Sequence, residues 1–316
     1  MSDEKYIVVL MGGISPEREI SLQSGKAVAN ALSKDNNNVI KIIVNDDMVN
    51  ELDNYKIDVA FIALHGYFGE DGGIQEVLES KDIPYTGSDP ASSQRAFDKS
   101  ITQILLKNCG IRVPNRVLLS NDDEHVIQES VVTLGGFPLV VKPICEGSSI
   151  GISLVRDHAQ LKNAVALAQK YSNKIICEEY IQGRELTVGI LGDEALPVVE
   201  IIAHNDFFDF GAKYTKGRSD YVVPAKLSDS ISAELKRVAL KAHHSLGCSD
   251  FSRVDFILDA HQRYHVLEIN TIPGFTSTSL LPMAADCHGL SFNQLCLQLI
   301  GMAYGKKEKT QGAAHY

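Results

Sequence analysis

The chain switches between two hydrophobic rhythms. In its first part, apolar runs are separated by helical stretches. "YIVVL" passes without a polar break into Gly12 and Gly13, the pattern of a strand buried on both faces of a parallel sheet. "SPEREISLQSGKAVANALSK" follows with helical spacing at Ile20, Ala27, Val28, Ala31 and Leu32; Ser15 suits the cap and Pro16 the first helical position. "VIKIIV" and "DVAFIALHG" read as two more strands, "EDGGIQEVLES" as the start of a second helix, and "IPYTG" as a short fourth strand. Strands alternating with helices predict a small doubly wound α/β domain over residues 1–95.

A single helix is expected over "DPASSQRAFDKSITQILLKNCG", ending at Gly110, and the grammar changes after it. "RVPNRVLL", "FPLVVKP", "GISLV" and "IICEEYI" are short strands with one helix, "DHAQLKNAVALAQKY", among them, so residues 96–181 read as an α+β unit. Residues 182–304 mix further strands with helices near 229–246 and 291–304, and "LGDEALP" reads as a hairpin turn. "AHNDFFDFGAKYTKGRSDYVVPA" is too long for an ordinary connection and reads as a lid or binding loop. Residues 305–316 lack periodicity and are expected to form a disordered tail.

Composition narrows the function classes. A net charge of −10 over 316 residues argues against a nucleic-acid sheath, which needs a basic face. No apolar run reaches the roughly 18 residues of a membrane helix, and the start lacks the basic and cleavage segments of a signal peptide. Six cysteines without CxxC spacing read as free thiols, and a cytoplasmic location is expected. The dinucleotide fingerprint GxGxxG is absent, which argues against an NAD enzyme.

The sharpest chemical signal is "SRVDFILDAHQRYHVLEINTIPG". If "DAHQR" turns a hairpin that pairs Leu258 with His265, Asp255 lies opposite Glu268 and Arg253 opposite Asn270, all on one face. Opposed carboxylates repel, and a hard cation such as Mg²⁺ relieves the conflict. A solvated strand face remains the alternative, although Ile257 and Val266 share that face in this register. "VVKPICEGSSIGI" has the small residues of a phosphate loop, but Lys142 precedes the glycines instead of following them. A strand-end lysine needs an anion to meet; Lys99 is a second candidate cation, and a plain hairpin turn is the alternative. Glu185 in "IICEEYIQGRELTVG" could accept from ribose hydroxyls, Glu17 lies in the first turn of the first helix, and Ser279 could cap a helix admitting Pro282.

Together these stretches resemble the D-alanine–D-alanine ligases of the ATP-grasp superfamily, over residues from about 5 to 304. The motifs are "MGGISPEREISLQSG", "ALHGYFGEDGGIQEVLE", "FDKSITQ", "VVKPICEGSSIGI", "EEYIQGRELTVGIL", "AKYTKGRSDYVVPA" and "LEINTIPGFTSTSLLPMAA" in that order. The resemblance implies a three-domain ATP-grasp architecture, α/β and α+β, with ATP between the second and third domains. It implies that Lys99 and Lys142 meet ATP phosphates, that the loop Glu146–Gly151, with Glu146, Ser148 and Ser149, closes over them as a flap, and that Lys213 also binds ATP. Glu178, Glu179, Tyr180 and Ile181 would line the adenine pocket, and Glu185 would meet the ribose. Asp255, Glu268 and Asn270 would hold two Mg²⁺ ions, with Mn²⁺ a substitute. Glu17 and His65 would receive the first D-alanine, Ser279 and Leu280 the second. Arg253 and the Gly274 backbone would stabilise the transition state, and Glu17, Ser148 and Tyr214 would tie the lid down. A homodimer is implied by the resemblance alone.

Three positions depart from the family pattern: Glu179, Cys145 and Ile272. Cys145 raises the expectation of oxidant sensitivity. A D-alanine–D-lactate or D-alanine–D-serine ligase of the same superfamily is the alternative; Tyr214 argues against the D-lactate branch. A non-catalytic ATP-binding module should have lost a metal ligand or Arg253, and none is lost.

Overall fold

The computed structural model describes residues 5–35, 38–45, 52–119, 124–147, 150–204 and 219–313. β1 (Tyr6–Gly12) lies between two parallel neighbours, β2 (Asn38–Val44) and β3 (Val59–Ile62). Its residues from Ile7 to Met11 are buried on both faces, as the unbroken apolar run predicts. The expected fourth strand reduces to a single bridge between Ala60 and Tyr85. α1 (Arg18–Leu32) covers one face of the sheet, and α2 (Gly73–Ser80) covers the other. α1 approaches closely because Gly25 has no side chain: a Cβ there would stand 2.4 Å from Met11 Cβ.

α1 begins later than expected. Ser15 does not cap it; its hydroxyl accepts from the Glu17 N–H and donates to the His65 carbonyl, so Pro16 and Glu17 form a turn and Glu17 occupies the cap position. The single helix expected from Asp89 is two, α3 (Pro90–Phe97) and α4 (Lys99–Asn108). Asp98 breaks them apart: its extended backbone ends α3 and its carboxylate accepts from the Ser100 and Ile101 N–H groups.

The second sheet is antiparallel, formed by β4 (Arg116–Leu119), β5 (Leu139–Pro143), β6 (Ser153–Val155) and β7 (Ile175–Glu179) in the order β4–β7–β5–β6. Two helices, α5 (Glu124–Thr133) and α6 (His158–Gln169), pack on it, where one was expected. The third sheet has the order β11–β10–β8–β12–β13, with β9 beside β8. Its strands are β8 (Gly183–Leu191), β9 (Glu194–Ala195), β10 (Val199–Ala203), β11 (Ser219–Val222), β12 (Phe251–Asp259) and β13 (Tyr264–Asn270). α7 (Asp229–Ser245) covers one face, and α8 (Leu280–Cys287) lies under β8 on the other.

The last helix, α9, runs from Phe292 to Ala313, so residues 305–313 are helical and not the disordered tail expected. Within this stretch Lys306 has an anion to meet: its Nζ lies 2.6 Å from Asp250 Oδ2, which also accepts from the Gly87 N–H. α9 packs against α1, and Leu295, Leu299 and Ala303 join Val28, Leu32, Val9 and Phe61 in one core. Phe275 sits in this core with its ring 5.3 Å from Phe61 and 5.9 Å from Phe251.

Candidate active site

The second and third sheets face each other across a cavity of about 400 Å³, a volume in the range of small-molecule sites. One wall carries Val140, Lys142, Glu178 and Glu179; the other carries Glu185, Ile202, Asp255 and Glu268. Tyr180 and Ile181 join the walls, as the connection between β7 and β8.

Asp255 and Glu268 are brought together by the β12–β13 hairpin. The expected pairs hold: Arg253 lies opposite Asn270, and Asp255 opposite Glu268. Nearer the turn the register shifts by one, so Ile257 and not Leu258 pairs with His265. Leu267 is the extra residue of a β-bulge. The bulge turns Val266 into the core, where it is fully buried, and puts Leu267 beside Glu268 in the cavity wall. The Val266 N–H is bonded to the Arg112 carbonyl at 2.9 Å. Val266 therefore does not share the carboxylate face, as the expected register had it.

The charges of the site are paired with one another. Arg253 grips Asp255 with Nε and a terminal nitrogen, each at 2.9 Å. Asp255 also accepts from Thr187 Oγ1 at 2.6 Å and Asn270 Nδ2 at 3.2 Å. Lys99 Nζ lies 3.2 Å from Glu268 Oε2 and also bonds the Glu146 carbonyl. Burial would lower the Lys99 pKa, but the Glu268 carboxylate outweighs it and holds the ammonium above its ordinary value. On the opposite wall, Lys142 Nζ lies 2.7 Å from Glu178 Oε2, and Gln103 Nε2 bonds Glu178 Oε1. Glu178 thus lines the cavity with its carboxylate committed to Lys142 and Gln103. The Glu179 carboxylate accepts from the Asn115 N–H at 2.8 Å.

No cluster of three His, Cys, Asp or Glu side chains suited to a metal occurs among the described residues. Asp255 and Glu268 with the amide oxygen of Asn270 form a smaller set, all hard oxygen donors. This fits Mg²⁺, which completes its shell with phosphate oxygens and water.

A second group of acids lies beyond Lys99. Glu17, Glu70 and His65 are buried together. His65 Nδ1 is 3.0 Å from the Ile272 carbonyl and 3.7 Å from Glu70 Oε1, and Nε2 is 3.1 Å from Ser24 Oγ. Burial opposes charge on His65, yet Glu70 and Glu17 together raise its pKa. Burial also raises Glu70, helped by the Glu17 charge. The segment expected to form a flap begins beside them. A Cβ on Gly147 would stand 2.7 Å from Glu17 Oε2, so bare backbone lies against that carboxylate. Burial, with Glu17 and Glu70 adding repulsion, pushes the Glu146 carboxyl up to about 7. Burial and the charge of Asp98 push the Cys145 thiol up to about 11, so it is a protonated thiol at neutral pH. The thiolate that oxidant sensitivity requires is therefore disfavoured.

Ser279 holds the cap position of α8, but its hydroxyl is turned to Thr276, accepting from that N–H at 3.0 Å. The first turn of α8, beginning at Leu280, has no side-chain cap. Gly274 lies beside it, its hypothetical Cβ 3.2 Å from Ser279 Oγ. Ser148, Ser149, Lys213 and Tyr214 lie outside the described residues, and with them the expected tie between Glu17, Ser148 and Tyr214. Sequence reasoning missed Glu70, Gln103 and Thr187, although the spacing of Gln103 one helical turn after Lys99 was available as a signal.

Two antiparallel sheets closing on a nucleotide-sized cleft, with a lysine on each side and paired acids on a hairpin, define an ATP-grasp enzyme. Comparison with known proteins narrows the class. The family model described as D-ala D-ala ligase C-terminus matches residues 105–301, and that for the N-terminus matches residues 46–88. The D-alanine–D-alanine ligase of Syntrophotalea carbinolica is 40% identical over 96% of this chain and 98% of its own. That of Aquifex aeolicus is 43% identical over 92% and 97%. Among solved structures, the Bacillus anthracis D-alanine–D-alanine ligase complexed with ATP is similar with a TM-score of 0.84 and 31% identity, covering 97% of this chain and 99% of that one. The VanG D-Ala:D-Ser ligase of Enterococcus faecalis is also similar, with a TM-score of 0.82, 31% identity, and 95% and 100% coverage. This chain belongs to the D-alanine–D-alanine ligase family.

Proposed function

We propose that this protein joins two D-alanines into D-alanyl-D-alanine at the expense of ATP, releasing ADP and phosphate, as a step in peptidoglycan precursor synthesis. The observation that carries the reading is one cavity lined by Lys142, Asp255 and Glu268, with Lys99 paired to Glu268 at its border. In this reading the base of ATP lies against Tyr180, Ile181, Ile202 and Leu267, and Glu185 accepts from the ribose. Lys99, Lys142 and the flap residues Glu146, Ser148 and Ser149 surround the phosphates, with Lys213 approaching from the lid. Asp255, Glu268 and Asn270 hold two Mg²⁺ ions, which supply charge neutralisation at the phosphates when bound.

Glu17 receives the ammonium of the first D-alanine, with His65 beside it. The carboxylate of that D-alanine attacks the γ-phosphorus, the bond to ADP breaks, and a D-alanyl phosphate forms. Ser279 and Leu280, at the uncapped start of α8, receive the carboxylate of the second D-alanine. Its amine attacks the acyl carbon and loses a proton; phosphate leaves, and the peptide bond is made. Arg253 and the Gly274 N–H stabilise the oxyanion that forms on the way. Positioning and charge carry the first step, and the flap and lid keep water from the acyl phosphate. We further infer three domains meeting at this cleft, a cytoplasmic location, and a homodimer.

The test is ADP release with D-alanine alone, set against D-alanine mixed with D-lactate or D-serine, with the product identified. D-alanyl-D-alanine is expected as the main product near neutral pH. A preference for D-lactate or D-serine would replace the reading. Arg253→Ala and Glu268→Ala are each expected to lower turnover by orders of magnitude with circular dichroism unchanged; near-normal turnover in either would remove the assigned role.

A further inference from the structure

We propose that Gln103 is a positioning residue for the phosphate-binding lysine, acting through Glu178. The inference rests on the ATP reading above.

α4 carries two buried polar side chains one turn apart, Lys99 and Gln103. Lys99 reaches the β12–β13 hairpin, and Gln103 reaches β7. The Glu178 carboxylate is 2% exposed and is held at both oxygens, Oε2 by Lys142 and Oε1 by Gln103. Arg116, the strand partner of Glu178, lies near enough for the Glu178 charge to act on it. One terminal nitrogen of Arg116 is buried without a hydrogen-bond partner, as is the amide oxygen of Gln103.

This arrangement answers a problem that phosphate binding creates. Lys142 must leave Glu178, wholly or in part, to reach a phosphate. A buried carboxylate that loses its only partner is strongly destabilised. Gln103 keeps one oxygen bonded, and the nearby positive charge of Arg116 supports the carboxylate. The cost of freeing Lys142 is thereby lowered. Because the Gln103 amide is neutral, it holds Glu178 without competing electrostatically with the incoming phosphate.

The test is a double-mutant cycle on the full chain, with ADP binding by calorimetry and steady-state kinetics. Gln103→Leu keeps the volume and removes the donor. It is expected to weaken ADP and raise the KM for ATP by about tenfold, with the KM for D-alanine and kcat at saturating ATP within about twofold of the parent. In the Glu178→Gln background the same substitution is expected to have under a twofold effect, because the charge it serves is gone. Unchanged ADP affinity in Gln103→Leu would overturn the proposal. So would a parallel rise in both KM values with a fall in kcat, which is the signature of a general packing defect. An equal effect in the Glu178→Gln background would also overturn it. If the unaltered protein failed to bind ADP, the ATP reading would fall first and take this inference with it.

Discussion

Gly147 stands where even a methyl group would press on a buried carboxylate. Its backbone lies against the Glu17 carboxylate, and a Cβ would come within 2.7 Å of Oε2. Gly147→Ala is expected to raise the KM for D-alanine by about tenfold while shifting the melting temperature by less than about 2 °C, read by coupled kinetics and calorimetry. A normal KM would show that the flap yields there. Glu146 carries a pH signature. Its folded pKa of about 7 lies above the ordinary carboxyl value. The folded state then binds more protons than the unfolded state between those values, so this group's contribution is full below the window and is lost as pH rises through it. In the ligand-free protein, Glu146→Gln should flatten the fall in melting temperature between about pH 5 and pH 7 and leave the variant more stable than the parent at pH 8. Parallel curves would refute this. At this scale, residues with an unusual chemical type for their local pattern were legible: Lys142 ends an apolar strand, and Asp255 interrupts one. Glu70 was not, because nothing in its own segment shows the partners that other elements bring to it, and Gln103 was marked only by its helical spacing from Lys99.

At the scale of elements, local signals named the strands and helices better than they joined or divided them. The hairpin pairs that matter were derivable from alternation, but the bulge at Leu267 was not, since an extra residue leaves no mark in a period-two pattern. The break between α3 and α4 was also hidden, because hydrophobic spacing runs through it. Asp98 alone sets it, and the consequence is chemical: α4 starts at Lys99, which aims its side chain at Glu268. Asp98→Ala should cost about 1 kcal/mol in stability and, by loosening the first turn of α4, raise the KM for ATP. A denaturant midpoint equal to the parent's would argue against the cap. The first helix shows the same limit in reverse: Ser15 and Pro16 are good starting residues, yet Ser15 is recruited by the His65 carbonyl across the sheet.

On the scale of the whole molecule, the change of rhythm along the sequence separated the α/β start from the α+β remainder, whereas a cleft between the second and third sheets was implied by the family resemblance alone. The return of the last helix to the first was not legible, because an apolar face does not name its partner. Lys306 marks where that return is fastened, on Asp250 and the Gly87 carbonyl. Lys306→Ala leaves the buried Asp250 short of a partner and should lower stability by about 1–3 kcal/mol, measured by urea unfolding; an unchanged midpoint would show the contact to be incidental. The shared core of α1 and α9 also bears on synthesis of the chain. The apolar face that α1 shows to α9 is made long before the helix that covers it. Until then the nascent protein carries an open hydrophobic surface, and release of the final helix, rather than completion of any one sheet, is the event that closes it. Nascent chains arrested before Phe292 should therefore be cut rapidly by protease within α1, and chains extended past Ala313 should resist.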